Sequence, residues 1–252
     1  SESNAWHISG TPEPKNFTNL TCFKLSVTEC KCKAHECGVS VNTLLASALM
    51  MALQNLQFKK VHDKKRLKPI KVLLPINLRR ILGSSTLRNF AFYTTPEINP
   101  RLGVYSFEEI CSIVHHHMAL NVNDKVMKTK ITANVKNERS MIVRLMPLFI
   151  KNIVMKAVFN VVGEKKSCIS MSNLGAVKIP EIMKEYTRRF DFILGVQATI
   201  PNNCAVISYG DDLYMNFVRN IIEPHLEYEF FEVIKSLGLK AEVQTNSQTE
   251  GV

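Results

Sequence analysis

Residues 167–218 read SCISMSNLGAVKIPEIMKEYTRRFDFILGVQATIPNNCAVISYGDDLYMNFV, and this stretch decides the fold class. Its short apolar runs are bounded by turn-forming residues, which is the pattern of β-strands. The predicted strands are residues 167–171, 190–198, 204–209 and 213–218. Gly210-Asp211-Asp212 predicts a hairpin between the last two strands, and Pro201-Asn202-Asn203 predicts a turn before them.

The rest of the chain alternates between helical and strand patterns. Predicted helices cover residues 27–36, 41–57, 106–122, 124–162, 180–188 and 223–237, with a kink at Pro147 and a C-cap at Gly238. Candidate N-caps are Ser26, Thr28, Ser40, Asn42 and Ser106. Predicted strands cover residues 20–25, 70–76 and 90–96. This mixture predicts an α/β fold in which a mixed β-sheet is flanked by helices.

The 252 residues are enough for one large domain or two small ones, and the composition, with 46% apolar and 21% charged residues, is that of a globular protein. Residues 1–19 are predicted to be an extended lead-in segment or linker, residues 20–240 a single lobe, and residues 241–252 a polar tail that is frayed over residues 244–252. No transmembrane segment is predicted. Residues 145–162 are the most apolar stretch, and they indicate either core packing or a helix lying at a membrane interface.

Charge and cysteine content narrow the choice of partner and compartment. The net charge is +10, with one local basic cluster between Lys59 and Lys68, but no nucleic-acid-binding motif accompanies it. We therefore expect a solvated loop there and no nucleic-acid partner.

The seven cysteines are an odd number, and the first residues lack the apolar core of a signal peptide. This pattern indicates reduced thiols in the cytoplasm.

Two clusters contain residue types that could perform chemistry. Cys30, Cys32, His35 and Cys37 are soft metal ligands, but a single helix would turn them to different faces, so we expect loosely packed thiols and no metal. His117 lies in a run of three histidines, four residues before Asn121 on the same helical face. It is a candidate general base, and a partly exposed helix residue is the other interpretation.

Two further positions are candidates for ligand contact. Ser172-Asn173-Leu174-Gly175 ends a predicted strand, so its amides could line a cleft, or it could form a plain strand-end turn. Arg79 directly follows a buried strand. Its guanidinium is expected to bind a carboxylate or backbone carbonyls, with an anionic ligand as the alternative.

The order of several segments resembles a known family. VSVNTLLASALMMAL (39–53) is followed by LLPINLRR (73–80), LRNFAFYTTPEI (87–98), long helices, ISMSNLG (169–175), a strand pair and a terminal helix. About residues 6–240 are similar to the C-terminal half of chloramphenicol acetyltransferase-like proteins. This superfamily includes alcohol acetyltransferases and the condensation domains of peptide synthetases.

The resemblance implies one lobe of a two-lobe, acyl-CoA-dependent acyltransferase with a tunnel between the lobes. Acyl-CoA or an acyl-carrier protein would supply the acyl group to an alcohol or amine, with no covalently bound cofactor. Ser172 and Asn173 match a segment that borders the tunnel, and Arg79 and Asn89 match positions near its edge.

The family's catalytic His-x-x-x-Asp motif is absent from this sequence, and His117-Met118-Ala119-Leu120-Asn121 is the nearest match. The resemblance therefore implies that an N-terminal catalytic lobe, upstream in the same protein or on a separate chain, supplies the base. The alternative is a non-catalytic module that docks a carrier protein or another partner chain.

Overall fold

The computed structural model describes residues 3–88, 90–138, 147–158, 166–197 and 200–246. These residues form a mixed eight-stranded sheet with flanking helices, which confirms the predicted α/β class. The strands are β1 (Asn19–Ser26), β2 (Ile70–Asn77), β3 (Ala91–Thr94), β4 (Glu97–Ile98), β5 (Ile169–Ala176), β6 (Asn202–Tyr209), β7 (Asp212–Arg219) and β8 (Ala241–Thr245). The helices are α1 (Val27–Glu36), α2 (Val41–Lys60), α3 (Leu78–Leu82), α4 (Phe107–Asn121), α5 (Asp124–Glu138), α6 (Leu148–Val158), α7 (Glu181–Lys184) and α8 (His225–Ser236).

The strand order is β3-β2-β5-β6-β7-β1-β8, and β4 pairs with the first residues of β2. Strand β5 runs parallel to both β2 and β6, and the other pairs are antiparallel. The carboxyl ends of β2, β5 and β6 therefore point towards the same edge of the sheet. Polar groups that follow these three strands meet at that edge.

The main core lies between the sheet and helices α2, α4 and α8. Phe23 of β1, Phe217 of β7 and Phe230 of α8 form a buried aromatic trio with ring centroids 5.1–5.4 Å apart. Such edge-to-face and tilted contacts are favoured by the ring quadrupoles in addition to the apolar area that they bury. The trio fixes α8 against β1 and β7.

The predicted helix starts are confirmed where a serine caps them. The hydroxyls of Ser26 and Ser40 accept hydrogen bonds from the first turns of α1 and α2. Ser106 and Glu109 form a reciprocal capping box at α4. Gly38 and Gly238 follow α1 and α8 with φ of 65° and 77°, a conformation that glycine adopts without strain.

The second face of the sheet is covered by a segment that the sequence predicted wrongly. Residues 190–197 were expected to form a strand, but they have no regular structure. The Asn203 amide donates to the Gly195 carbonyl at 2.6 Å, and the Asn216 amide donates to the Phe192 carbonyl at 3.1 Å. Side chains from the sheet therefore satisfy backbone groups that a neighbouring strand would otherwise pair.

Two other predictions at strand ends were also wrong. Asn202 and Asn203 do not form a turn but begin β6, where they pair with Arg219 and Val218 of β7. The start of the polar tail forms β8, which pairs with β1, so Gln244 and Thr245, predicted to be frayed, are in a strand. Residues 247–252 of the tail lie outside the described residues. Antiparallel pairing satisfies the backbone of this exposed strand without a strong apolar pattern in its sequence.

The most apolar stretch does not pack in the core where the structure describes it. Leu148, Phe149 and Ile153 of α6 are all more than two-thirds exposed. Within the described residues, no single helix is long and apolar enough to cross a membrane. Helices α1 and α2 satisfy that test only as a pair, but they meet at 82° and α2 lies in the core.

The β6–β7 turn is attached to the start of α1 through one carboxylate. Asp211 accepts hydrogen bonds from the Thr28 amide at 2.9 Å, the Thr28 hydroxyl at 2.6 Å and the Ser26 hydroxyl at 2.7 Å. These donors lower the pKa of Asp211, with the Thr28 hydroxyl making the largest contribution. A lowered pKa means that the folded state favours the ionised carboxylate.

We expect Asp211→Asn to lower the melting temperature at pH 7, because the charge-assisted hydrogen bonds at the start of α1 are weakened. Stability from a lowered carboxyl pKa is present above the unfolded-state pKa and is lost as the pH falls through the folded-state pKa. The difference from the unmodified protein should therefore shrink below pH 3.8, the ordinary value for this carboxyl. Thermal melts from pH 2 to pH 7 measure this, with Asp124→Asn, in an exposed pair with Lys128, as the control. A difference that does not change with pH would contradict the assignment.

Candidate functional site

The carboxyl ends of the parallel strands β2, β5 and β6 form the candidate site, which we name the parallel-strand edge. Strand β5 is buried through Met171 and becomes partly exposed from Ser172 onwards. Ligands of open α/β sheets bind outside the carboxyl ends of parallel strands. The change in burial therefore marks where β5 emerges towards this edge.

Ser172-Asn173-Leu174-Gly175 was expected to end the strand, but it lies within β5. Asn173 is paired with Val206, and Ala176 is paired with Ser208, so β5 contains one more residue than β6 over this interval. The side chain of Asn173 accepts a hydrogen bond from the Gly175 amide at 2.8 Å, and Gly175 has φ of 76°. The polar residues and glycine therefore encode a β-bulge rather than a strand end.

Asn173 also connects the bulge to α2. Its amide donates to the side-chain oxygen of Asn42, in the first turn of α2, at 3.1 Å. This contact joins positions 131 residues apart, and no short-range sequence signal identifies it. The structure therefore adds Asn42 to the residues at the parallel-strand edge, beside Ser172 and Asn173.

Arg79 lies at the same end of β2, in the first turn of α3. Its Nε donates to the Thr86 carbonyl at 2.7 Å, and one Nη donates to the Arg88 carbonyl at 2.5 Å. The guanidinium thus holds the loop that follows α3. Asn89, the other residue expected at the tunnel edge, lies outside the described residues.

His117 contacts the sheet from α4. Its Nε2 lies 2.8 Å from the hydroxyl of Thr94 on β3. Burial lowers the pKa of His117, Lys130 lowers it further, and Glu97 opposes the shift. Asn121 donates its amide to the backbone carbonyl of His117, so this contact does not orient the imidazole.

The cysteine cluster on α1 does not converge on one point. Cys30 is buried, Cys37 is half-buried, and Cys32 and His35 are exposed. Burial raises the pKa of the Cys30 thiol to about 11, so this thiol is protonated at neutral pH. Among the described residues, no group of three or more His, Cys, Asp or Glu side chains is placed to hold a metal ion.

The basic loop lines a cleft of about 730 Å³ beside the N-terminal segment. Its basic lining residues are Lys60, Lys65, Arg66, Lys68 and Arg101. Arg101 donates to the Leu67 and Lys65 carbonyls, and Lys60 donates to the Ser9 carbonyl. The side chains of Lys65, Arg66 and Lys68 are exposed, so they contribute positive charge at the surface of the cleft. We name this site the basic cleft.

No protein-family model matches the chain, and no curated protein is similar to it in sequence. Solved structures are similar in fold. The TRI101 protein of Fusarium sporotrichioides, complexed with coenzyme A and T-2, gives a TM-score of 0.61 at 9% identity, covering 94% of this chain and 55% of that one. The trichothecene 15-O-acetyltransferase TRI3 of the same organism gives 0.54 at 13% identity, covering 94% and 48%.

A structure of the condensation domain that mediates chain release from the enacyloxin polyketide synthase gives a TM-score of 0.53 at 14% identity, covering 97% of this chain and 45% of that one. At these identities the likeness concerns the fold. The chain has the fold of one lobe of acetyltransferases and condensation domains, as the sequence resemblance implied. It spans about half the length of each of these three solved structures.

The contacts of Arg79 predict the effect of replacing it. Arg79→Lys should increase amide exchange in residues 83–88 and lower the free energy of unfolding by about 1 kcal/mol, because lysine cannot make both carbonyl hydrogen bonds in the same geometry. Hydrogen exchange and urea unfolding measure these changes. Arg88→Lys, an exposed side chain in the same loop, is the matched control and should change neither. Unchanged loop exchange together with weaker coenzyme A binding would instead assign Arg79 to an anionic ligand.

Proposed function

We propose that the chain is the C-terminal, tunnel-forming lobe of an acyltransferase that transfers an acyl group from acyl-CoA to an alcohol or amine. The fold carries this proposal, because nearly the whole chain superposes on about half of an acetyltransferase. The complex of TRI101 with coenzyme A supports acyl-CoA as the co-substrate. The proposal includes no covalently bound cofactor.

The catalytic base belongs to an N-terminal lobe in this proposal, upstream in the same protein or on a separate chain. The sequence has no His-x-x-x-Asp motif, and His117 is engaged with Thr94. The exposed apolar side chains of α6 support a partner lobe, since an exposed apolar surface commonly marks an interaction site. Free thiols on all seven cysteines support a reducing compartment, the cytoplasm.

Ser172 and Asn173 border the acyl tunnel in this proposal, with Arg79 and Asn89 near its edge. The position of Ser172 and Asn173 at the parallel-strand edge supports their role. The Asn173–Asn42 hydrogen bond holds the bulge of β5 against α2, so the tunnel wall would be set by α2 rather than by a mobile loop. The side chains of this tunnel wall would already be in place before substrate binds, so binding would require little reordering of this lobe.

The isolated chain should release coenzyme A from acetyl-CoA at the background rate, because it lacks the base. A protein that also contains an N-terminal lobe with a His-x-x-x-Asp motif should turn over. Replacing that motif's histidine with alanine should reduce turnover by about 100-fold or more. A thiol-reactive dye measures the released coenzyme A.

His117→Ala in the two-lobe protein should leave turnover unchanged, as should His115→Ala, an exposed neighbour on α4 that serves as the matched control. Turnover by the isolated chain that His117→Ala abolishes would refute the proposal that the base lies elsewhere.

The basic cleft favours a second candidate function, a module that docks an acidic carrier protein. All five of its charged lining residues are basic. Exposed charges of one sign accelerate encounter with a partner of opposite charge, and salt screens this effect. Such docking is compatible with a catalytic lobe and with a non-catalytic one.

Replacing Lys65, Arg66 and Lys68 with serine should slow association with an acidic acyl-carrier protein about tenfold at low salt. The difference should disappear as the ionic strength rises. The control variant replaces three exposed lysines outside the cleft, Lys31, Lys125 and Lys178, with serine. The two variants therefore have the same net charge. Surface plasmon resonance at several salt concentrations gives the rates, and carrier binding that does not depend on salt would contradict this docking mode.

A further inference from the structure

The basic cleft lies far from the proposed acyl tunnel. Its residues Lys65, Arg66 and Lys68 come shortly before β2, whereas the parallel-strand edge is formed where β2 ends. Strand β2 has eight residues, so its two ends are about 23 Å apart at the usual rise per residue. A ligand in the basic cleft would therefore be separate from a substrate in the tunnel.

The cations of the basic cleft are not balanced by carboxylates. Within the described residues, none of its five basic lining residues forms an ion pair, although a lysine elsewhere does so even when buried, as Lys71 does with Glu97. No aspartate or glutamate is among the described residues that line the cleft. Asp63, nearby in sequence, accepts a hydrogen bond from the backbone amide of Lys65 instead. Five like charges around one concave site repel each other, and a bound anion would relieve this repulsion.

Two of these cations are held in place by backbone carbonyls. Arg101 donates from Nε to Leu67 at 2.6 Å and from one Nη to Lys65 at 3.0 Å. Lys60 donates to the Ser9 carbonyl at 3.0 Å. The other Nη of Arg101 makes no hydrogen bond within the part of the chain that the structure describes, so its donors are available to a ligand. Part of the site is thus positioned before an anion binds, which lowers the entropic cost of binding.

The number and kind of cations restrict the chemistry of the anion. A singly charged anion would leave most of the five positive charges unbalanced, whereas a chain of phosphate groups carries several negative charges close together. Phosphate oxygens accept hydrogen bonds both from the planar guanidinium of arginine and from the ammonium of lysine. The volume of about 730 Å³ lies in the usual range for sites that bind small molecules. These features together fit a short polyphosphate.

We propose that the basic cleft binds a small polyphosphate, either an inorganic chain or the phosphate groups of a nucleotide. Arg101 and Lys60 are the positioned donors, and Lys65, Arg66 and Lys68 are the exposed cations that surround the ligand. The proposal rests neither on acyl transfer nor on carrier docking. A bound polyphosphate would compete with an acidic carrier protein for the same cations.

Trp6 provides a direct signal for this binding, because it lines the cleft and is the only tryptophan in the sequence. Titration of the full chain with tripolyphosphate, at constant ionic strength and without magnesium, should give a saturable change in tryptophan fluorescence. Its affinity should exceed that of sulfate at least about tenfold, because more of the cations are neutralised. Isothermal titration calorimetry measures the same affinities without relying on the indole. Equal affinities for the two anions, or no saturable binding in either measurement, would overturn the proposal.

The same titration with ATP distinguishes the two sources of the phosphate chain. Tighter binding of ATP than of tripolyphosphate would identify a nucleotide, and equal or weaker binding would identify an inorganic chain. Tighter binding of a single-stranded oligonucleotide than of both would overturn the proposal in favour of a nucleic-acid surface. These titrations contain no acyl-CoA and no carrier protein, so their failure is distinguishable from failure of the proposed function.

A pair of charge-removing variants tests the location of the site. Arg66→Gln combined with Lys68→Gln removes two exposed charges that form no ion pair among the described residues, so the thermal melt should be unchanged. Tripolyphosphate binding should weaken at least about tenfold. Lys125→Gln combined with Lys178→Gln removes the same charge from exposed positions outside the cleft and should weaken binding less than about twofold. Equal weakening in both double variants would refute the site, because net charge alone would then account for the binding.

Discussion

The burial of α2 is the constraint on which the rest of the structure depends. This helix contacts α1, α4, α8 and β2, and its buried residues are distributed around its whole circumference. Helices that are apolar all round must be covered on every side. The polar Gln54 is accommodated because its side chain exchanges two hydrogen bonds with the Tyr105 backbone, at 2.9 and 3.0 Å. Every neighbouring element is therefore positioned by the need to cover α2, and the segment that leads into α4 is positioned by Gln54.

The packing around α2 also determines which parts of the sheet are covered by other elements. One face of the sheet is occupied by α2 and α8, and on the other face residues 190–197 pack against β1, β6 and β7. The parallel-strand edge lies where β5 emerges beside the start of α2.

Local signals in the sequence predicted most elements and fewer of the contacts. Ser26, Ser40 and Ser106 marked helix starts correctly, because a capping hydroxyl acts on amides only two or three residues away. The polar run at Ser172–Gly175 was interpreted as a strand end. Strand β5 continues through this run because β6 pairs with it, and the one extra residue of β5 forms a bulge. The same composition suits a turn and a bulge, and the partner strand decides between them.

The sequence by itself determined the α/β class, the central apolar helix, the hairpin at Gly210-Asp211 and the absence of a His-x-x-x-Asp motif. Each of these depends on periodicity or on residues close together in the chain. Only the tertiary structure decided that residues 190–197 form no strand, that Arg79 holds the loop after α3, and that Glu227 and Arg219 form a buried ion pair. Contacts between residues far apart in the sequence, such as the hydrogen bond between Asn173 and Asn42, produce no periodic pattern of residue types. Sequence patterns therefore do not predict them.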